Sequence, residues 1–555
     1  MPLLWLAFLC VLLFSLGASA GAQGWKETSR VPPGSNSPSE TQDQYVDAKG
    51  QPTGDTRVTT YQYYDDGRIK STKETRKDKQ GRETYILNQW YDEHGTQTGG
   101  FRQEFRYNDE TNVPYYRQDQ KYDPKSKKWE DFPAKQQDIG YQVEDLGFLA
   151  GGTFTQVEGL NSSGQIAGYA STWNGVIRAF LWQNGKIYDL GTLGGASAAA
   201  YSLNAAGQVV GSADTRLYDF TSRRYIYHAF LWQNGEMRDL GTLGGRYSQA
   251  YGINTQGQVV GWSETASYAT HAFLWQNGEM RDLGTLPGGT ISYAKSISDS
   301  GVVVGNSNSS LGRFDAFRWQ AGAISNIGAI PYLVQGSSVN GINSAGQIVG
   351  SCSFVPDSGN TAFRWDPTFR LLPLGGLGPS TSSFIGINDA GTAVGLSSAL
   401  WFAGLHAYRY DDTYGALDLN DYLPTTSGWL LTEADAINNQ GQIAGYGIYN
   451  GQGHAYLLTP LSLSGLSLSA KTVKGGTPIT AQVTLSGPAP GGGALITLSS
   501  ANASYVHLPS SVVIPSGQNR ASFTVTTSRT TVTKIVAIST VYGSSAQQVT
   551  LTITP

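Results

Sequence analysis

Apolar and polar positions alternate in short runs along most of this chain, and between Asp145 and Pro460 one pattern of alternation is written seven times. Two copies are nearly letter for letter: HAFLWQNGEMRDLGTLGG from His228 and HAFLWQNGEMRDLGTLPGG from His271. The Phe-Leu-Trp step returns as Phe180-Leu181-Trp182, Phe317-Arg318-Trp319, Phe363-Arg364-Trp365, Tyr408-Arg409-Tyr410 and Tyr456-Leu457-Leu458. The period is roughly 40 to 50 residues, that of a four-stranded repeat unit. A second landmark precedes each step: LNSSGQIAG, LNAAGQVVG, INTQGQVVG, ISDSGVVVG, INSAGQIVG, INDAGTAVG and INNQGQIAG. The third unit therefore reads as a first strand QAYGIN, a second GQVVGWS, a third HAFLW and a fourth MRDLGTL, with no helical period between them. In Asn254-Thr-Gln-Gly257 the Asn side chain can bond the turn backbone and the Gly can take a positive φ. Asn234-Gly235 and Asn277-Gly278 are the favoured fillings of a two-residue type I′ hairpin turn.

The seventh unit stops after its third strand, HAYLLTP, whereas YQVEDLGFLAGG at 141–152 is a fourth strand placed before the first unit. The two gaps complement each other. Pairing Asp145-Leu146-Gly147 beside Tyr456 would complete the last sheet and remove exposed strand edges that invite aggregation. The predicted fold is all-β: a seven-bladed β-propeller closed by an N-terminal strand, preceded by an antiparallel β-meander and followed by an Ig-like β-sandwich.

The flanks divide by composition. The run LLWLAFLCVLLFSLGASA, with Ala18 and Ala20 at cleavage-site spacing, predicts a secretory signal peptide over 1–22; the alternative is an uncleaved anchor. Residues 23–44 are expected as a disordered linker. From 45 to 137 charge and aromatics are dense, and turn signals at Asp66-Gly67, Gln80-Gly81, His94-Gly95, Asp109-Glu110 and Pro124-Lys125 predict the charged meander. The repeats occupy 141–460. From 461 to 555, short alternating strands between Gly, Pro and Ser turns predict the sandwich, without a disulfide.

The phrase HAFLW followed by DLGTLGG, repeated from Asp145 to Pro460, resembles the bacterial extracellular HAF-repeat family. The likeness is fullest in the first three units; later, Ser325-Asn326-Ile327 and Leu372-Pro373-Leu374 replace the Asp-Leu step. It implies secretion and a propeller-like repeat, and brings no catalytic residue set. The C-terminal segment resembles the Ig-like modules of many secreted bacterial proteins, which implies a spacer or adhesive stalk.

Net charge is −4 with the signs mixed, so nucleic acid is not an expected partner. No second apolar run is long enough for a bilayer, so no membrane span is expected once the signal is cleaved. Cys10 falls in the signal segment, which leaves Cys352 alone and predicts a core held without disulfides. No cofactor or metal site is expected. His228, His271, His406 and His454 share one repeat position but belong to different units, and so do Asp189, Asp239 and Asp282; strand-start and edge-capping roles are expected. The first strands offer Glu158, Tyr201, Tyr251, Lys295, Asn340, Ile385 and Asp435 at one equivalent position. Variable loops join second to third strands, and binding on a rigid scaffold tends to live in such loops. They supply the candidate ligand-binding residues Trp173, Tyr218, Arg223, Tyr225, Trp401 and Phe402; the competing role for these aromatics is to plug the mouth of the ring. The expected function is a secreted or cell-surface, non-enzymatic binding or adhesion protein for a glycan or protein ligand. The alternative is a propeller-type hydrolase or lyase, which requires Glu158, Tyr201, Tyr251, Lys295 and Asp435 to share one pocket.

Overall fold

The structure, a computed structural model, describes residues 140–555 except 150, 311, 328–333, 355–359, 368–369, 375, 378–380, 399–403 and 413, together with eight strands between residues 24 and 131. The chain divides into two compact units, Met1–Lys135 and Gln136–Pro555. The expected signal peptide lies outside the described residues.

In the first unit the eight strands form one antiparallel sheet in chain order. Each turn signal read from the sequence falls between two of them. The sheet begins earlier than expected. Gly24–Val31 and Ser39–Val46 pair, Gly24 opposite Val46, in the stretch expected as a linker over 23–44. Their residues are almost all polar, so no apolar alternation marks them as strands.

The second unit opens with seven four-stranded antiparallel sheets. Their first strands are Thr155–Leu160, Gly194–Leu203, Gly244–Ile253, Ser292–Ile297, Val334–Ile342, Ser382–Ile387 and Trp429–Ile437. Six sheets run from first to fourth strand in chain order. The seventh takes its fourth strand from Tyr141–Asp145, with Asp145 opposite Tyr456 and Tyr141 opposite Pro460.

The third-strand aromatic is the hub of each sheet's packing. Phe180, Phe230, Phe273, Phe317, Phe363, Tyr408 and Tyr456 are fully buried. The apolar clusters lie between consecutive sheets: Val210 and Ala229 of the second meet Ala250 and Phe273 of the third. One cluster joins Val157 and Phe180 of the first sheet to Ala444 and Leu457 of the seventh. The Asn turns repeat this order in hydrogen bonds. Each Asn Nδ2 reaches the carbonyl of the equivalent residue one sheet on, from Asn161 to Asn204, Asn204 to Asn254 and Asn254 to Ser298. The series resumes from Asn343 to Asn388 and Asn388 to Asn438, and Asn438 donates to the Asn161 carbonyl at 2.9 Å. Within each turn the same Asn accepts from the backbone; Gln258 N donates to Asn254 Oδ1 at 3.0 Å.

Residues from Leu463 onward form a sandwich of a four-stranded and a five-stranded sheet around one core that includes Ile479, Val483, Ile496, Phe523, Ile538 and Leu551. Among the described residues the only helical element is the 3-10 turn Leu419–Tyr422, and no helix is long and apolar enough to cross a membrane.

Candidate functional site

The register of every first strand slips at one equivalent residue: Glu158, Tyr201, Tyr251, Lys295, Asn340, Ile385 and Asp435. A bulged residue opposes no partner in the ladder, and the strand bends there and re-aims its side chain. The last glycine of each GQVVG-type landmark permits this. A Cβ on Gly261 would sit 1.9 Å from the Gln249 carbonyl oxygen, and one on Gly211 2.0 Å from that of Ala199. Only a residue without a side chain lets the first strand approach so closely.

Several bulged side chains meet. Lys295 Nζ lies 3.9 Å from the centre of the Tyr251 ring, and that ring is 5.3 Å from Tyr201. Tyr201 touches Tyr169 of the first sheet, ring centres 6.4 Å apart. Gln156 Nε2 donates to Asp435 Oδ2 at 3.3 Å, linking the first and seventh sheets. Gln249 Oε1 accepts from both the Tyr251 hydroxyl and the Trp262 indole. Asn340 donates to the Phe384 carbonyl, just before the bulge of the next first strand, at 2.7 Å.

Three carboxyls share the junction of the first and seventh sheets. Burial, then the charge of Glu433, pushes Glu158 up to about 7, with Lys295 opposing. Burial and the neighbouring Glu433 and Glu158 raise Asp435 well above the usual carboxylate range. Burial raises Glu433 as well, partly offset by its hydrogen bond with Asp435. Lys295 is lowered by burial, with Glu158 opposing. The Tyr169 hydroxyl is raised by burial and then by all three carboxyls. The sequence-named Glu158, Tyr201, Tyr251, Lys295 and Asp435 are thus linked through contacts and charge, whereas Ile385 is not part of that group. Glu433 was missed by the sequence reading. Its signal was the alternation Thr432-Glu433-Ala434-Asp435, which puts a second acid two residues before the bulge. Among the described residues, no three His, Cys, Asp or Glu side chains are arranged to hold a metal ion.

The repeated His and Asp pair within their own sheets. His228 meets Asp239 at 2.8 Å, His271 meets Asp282 at 2.7 Å, His406 meets Asp418 at 2.6 Å and His454 meets Asp145 at 3.0 Å. Arg178 does the same for Asp189 at 3.0 Å. Asp239 also accepts from the Gly241 N–H, and Asp282 from the Gly284 N–H. The DLG step therefore clips the fourth strand to the third and closes the following turn.

On the loops, Tyr218 and Tyr225 are cross-strand partners on a two-stranded extension of the second sheet, ring centres 5.2 Å apart. Phe220, 84% exposed, adds an edge-to-face contact with Tyr218 at 5.1 Å, and Leu217 is exposed beside them. Arg223 occupies the left-handed region in the connecting turn, φ 55°. Arg246 of the third sheet braces this hairpin through Asp219 at 2.9 Å, and Arg224 donates to the Tyr247 hydroxyl at 3.1 Å. Trp173 stands in the turn between the second and third strands of the first sheet, 80% exposed, and no described ring contact joins it to the Tyr218 group. Trp401 and Phe402 lie outside the described residues. Phe220 was not singled out in the sequence, although its loop was.

No family model and no curated protein matches this chain. Among solved structures it is similar to Porphyromonas gingivalis dipeptidyl peptidase 4, with 9% identity and a TM-score of 0.27, over 65% of this chain and 61% of that one. It is also similar to a Mycobacterium tuberculosis puromycin-hydrolyzing peptidase, with 10% identity and a TM-score of 0.23, over 77% of this chain and 57% of that one. The chain spans about three-fifths of those two proteins. Likenesses of this strength carry nothing about activity.

Proposed function

We propose that this is an exported HAF-repeat protein whose seven sheets form a β-propeller closed by the N-terminal strand, followed by an Ig-like sandwich, and that it binds a glycan or protein ligand without catalysing a reaction. Supporting the closed ring are the pairing of Tyr141–Asp145 with the last sheet, the shared apolar cluster of the first and seventh sheets, and the Asn438 to Asn161 hydrogen bond. Export rests on the apolar start of the chain and its small-residue cleavage spacing. The observation that carries the binding reading is the hairpin of the second sheet. Leu217, Tyr218, Phe220 and Tyr225 are all exposed there, and contiguous apolar surface of this kind marks interaction sites. Aromatic anchors supply much of an interface's energy, each costing more than about 1 to 2 kcal/mol when truncated.

The test is a glycan array probed with the exported protein, together with a Tyr218→Ala, Phe220→Ala double variant and a Trp173→Ala variant. Expected is loss of capture in the double variant with an unchanged melting temperature. Unchanged capture, or a fall in stability alone, would show that these aromatics are packing groups. A second reading, a glycan-active hydrolase or lyase, is favoured by the Glu158, Glu433 and Asp435 group beside Lys295 and Tyr251. Glu433→Gln separates the two: it should leave array binding intact, and abolish any polysaccharide cleavage only if the second reading holds.

A further inference from the structure

We propose that the C-terminal sandwich is a clasp that holds the closing strand Tyr141–Asp145 in the seventh sheet. In the first four sheets the third and fourth strands are joined by a tight turn, such as Asn184-Gly185 with both residues at positive φ. In the seventh sheet the two strands come from distant parts of the chain, so no local connection keeps them together, and the entropy of closing so long a loop opposes their pairing. The closing strand, five residues, is about as short as the other fourth strands but lacks their local turn.

The sandwich grips the end of this ladder where the closing strand begins and its partner strand leaves, Tyr141 opposite Pro460. Gly140, immediately before the strand, donates its N–H to the buried Tyr542 hydroxyl at 3.0 Å. Its carbonyl accepts from Leu461 N at 2.8 Å, and Leu461 belongs to the sandwich core. A Cβ on Gly140 would lie 2.8 Å from both Leu461 Cδ1 and Pro490 Cδ. The loop carrying Pro490 continues to Gly491, whose N–H donates to the Leu423 carbonyl at 3.0 Å. Leu423 packs with Tyr141 in the cluster between the sixth and seventh sheets. One sandwich loop and one sandwich tyrosine therefore hold the residue that enters the strand, the residue that leaves its partner, and the neighbouring sheet. A free spacer would make no such set of contacts.

The test is hydrogen exchange on the full chain, comparing parent, Tyr542→Phe and Gly140→Ala. The first removes the acceptor hydroxyl; the second forces a methyl against Leu461 and Pro490 while leaving the sandwich sequence intact. Tyr542→Phe should speed exchange of the Tyr141–Asp145 amides about five- to ten-fold, the loss expected from one hydrogen bond, and Gly140→Ala at least as much through the clash, with Val259–Thr265 unchanged in both. If the closing strand keeps its protection in both variants, or if Tyr542→Phe loosens only Lys534–Thr554 and Gly140→Ala changes nothing, the sandwich is a passive module and the clasp is wrong.

Discussion

Raising the pH should weaken the seven-sheet array, and Glu158→Gln should remove much of that weakness. Glu158 titrates at about 7 in the folded chain, for the burial and Glu433 proximity described above, against about 4.5 when free. A carboxyl raised in this way binds its proton more tightly folded than unfolded. Its contribution is fully present below about pH 4.5 and is lost as the pH climbs to about 7. At about 1.4 kcal/mol for each tenfold change in proton affinity, the loss is on the order of 3 kcal/mol. Glu433 and Asp435 are also raised, so they act in the same direction. His406, raised by its hydrogen bond with Asp418, does so as well. Asp219, Asp239, Asp389 and Asp418 are held low, and their opposite effect falls below about pH 4. Lys295, Tyr169 and Tyr456 face the cluster, and the two tyrosines, raised by burial, stay neutral across this window. Urea unfolding followed by tryptophan fluorescence from pH 4.5 to 8.5, in a background with Trp5, Trp25, Trp90 and Trp129 replaced by Phe, reads the effect, because the sandwich contains no tryptophan. Parent stability should fall between pH 5 and 7, and Glu158→Gln should fall less and exceed the parent at pH 8. A parent profile that rises across this interval, or an unchanged slope in the variant, would refute the reasoning.

Two further outcomes follow from the backbone. Gly261→Ala places a methyl carbon 1.9 Å from the Gln249 oxygen and should cost about 3 kcal/mol in urea unfolding; a variant as stable as the parent would show that the close approach is not required. Ala321 adopts φ 50° before Gly322 in the turn between third and fourth strands, where Asn184, Asn234 and Asn277 stand in other sheets. Ala321→Asn should raise stability by about 0.5 to 1 kcal/mol, since Asn tolerates this region and Ala does not; no gain would mean the turn is unstrained.

The hairpin turns, the capping Asp of the DLG step and the displaced fourth strand were legible because each depends on a local rule: positive φ at Asn-Gly, a short acceptor side chain, and a missing segment that has a counterpart. The strands at 24–31 and 39–46 were not legible, since a nearly all-polar sequence carries no apolar alternation. Which first-strand side chains meet was legible only as a shared position. A register slip of one residue moves every later side chain to the other face, and nothing in the alternation of TQVEGL announces that Glu158 is the residue where it occurs. Glu433 was visible only as a second acid two residues before Asp435, because its proximity to Glu158 depends on the last sheet lying against the first.

The bulge also accounts for where this chain varies. The buried aromatic, the Asn turn and the glycine recur because each is fixed by a neighbour: an adjoining sheet, the next turn's carbonyl, or a strand approaching within 2 Å of an absent Cβ. The bulged residue has no cross-strand partner, so the ladder places no demand on its chemistry. Acid, amine, amide, phenol and aliphatic side chains all occupy it. The charged members are not scattered, however. Glu158 and Asp435 flank the junction of the first and seventh sheets, with Glu433 beside them, and Lys295 is tied to the same group through Tyr251 and Tyr201. A position free of ladder pairing, carrying buried titratable groups whose proton affinities are pushed together, is where the scaffold has room for chemistry that the repeat itself does not need.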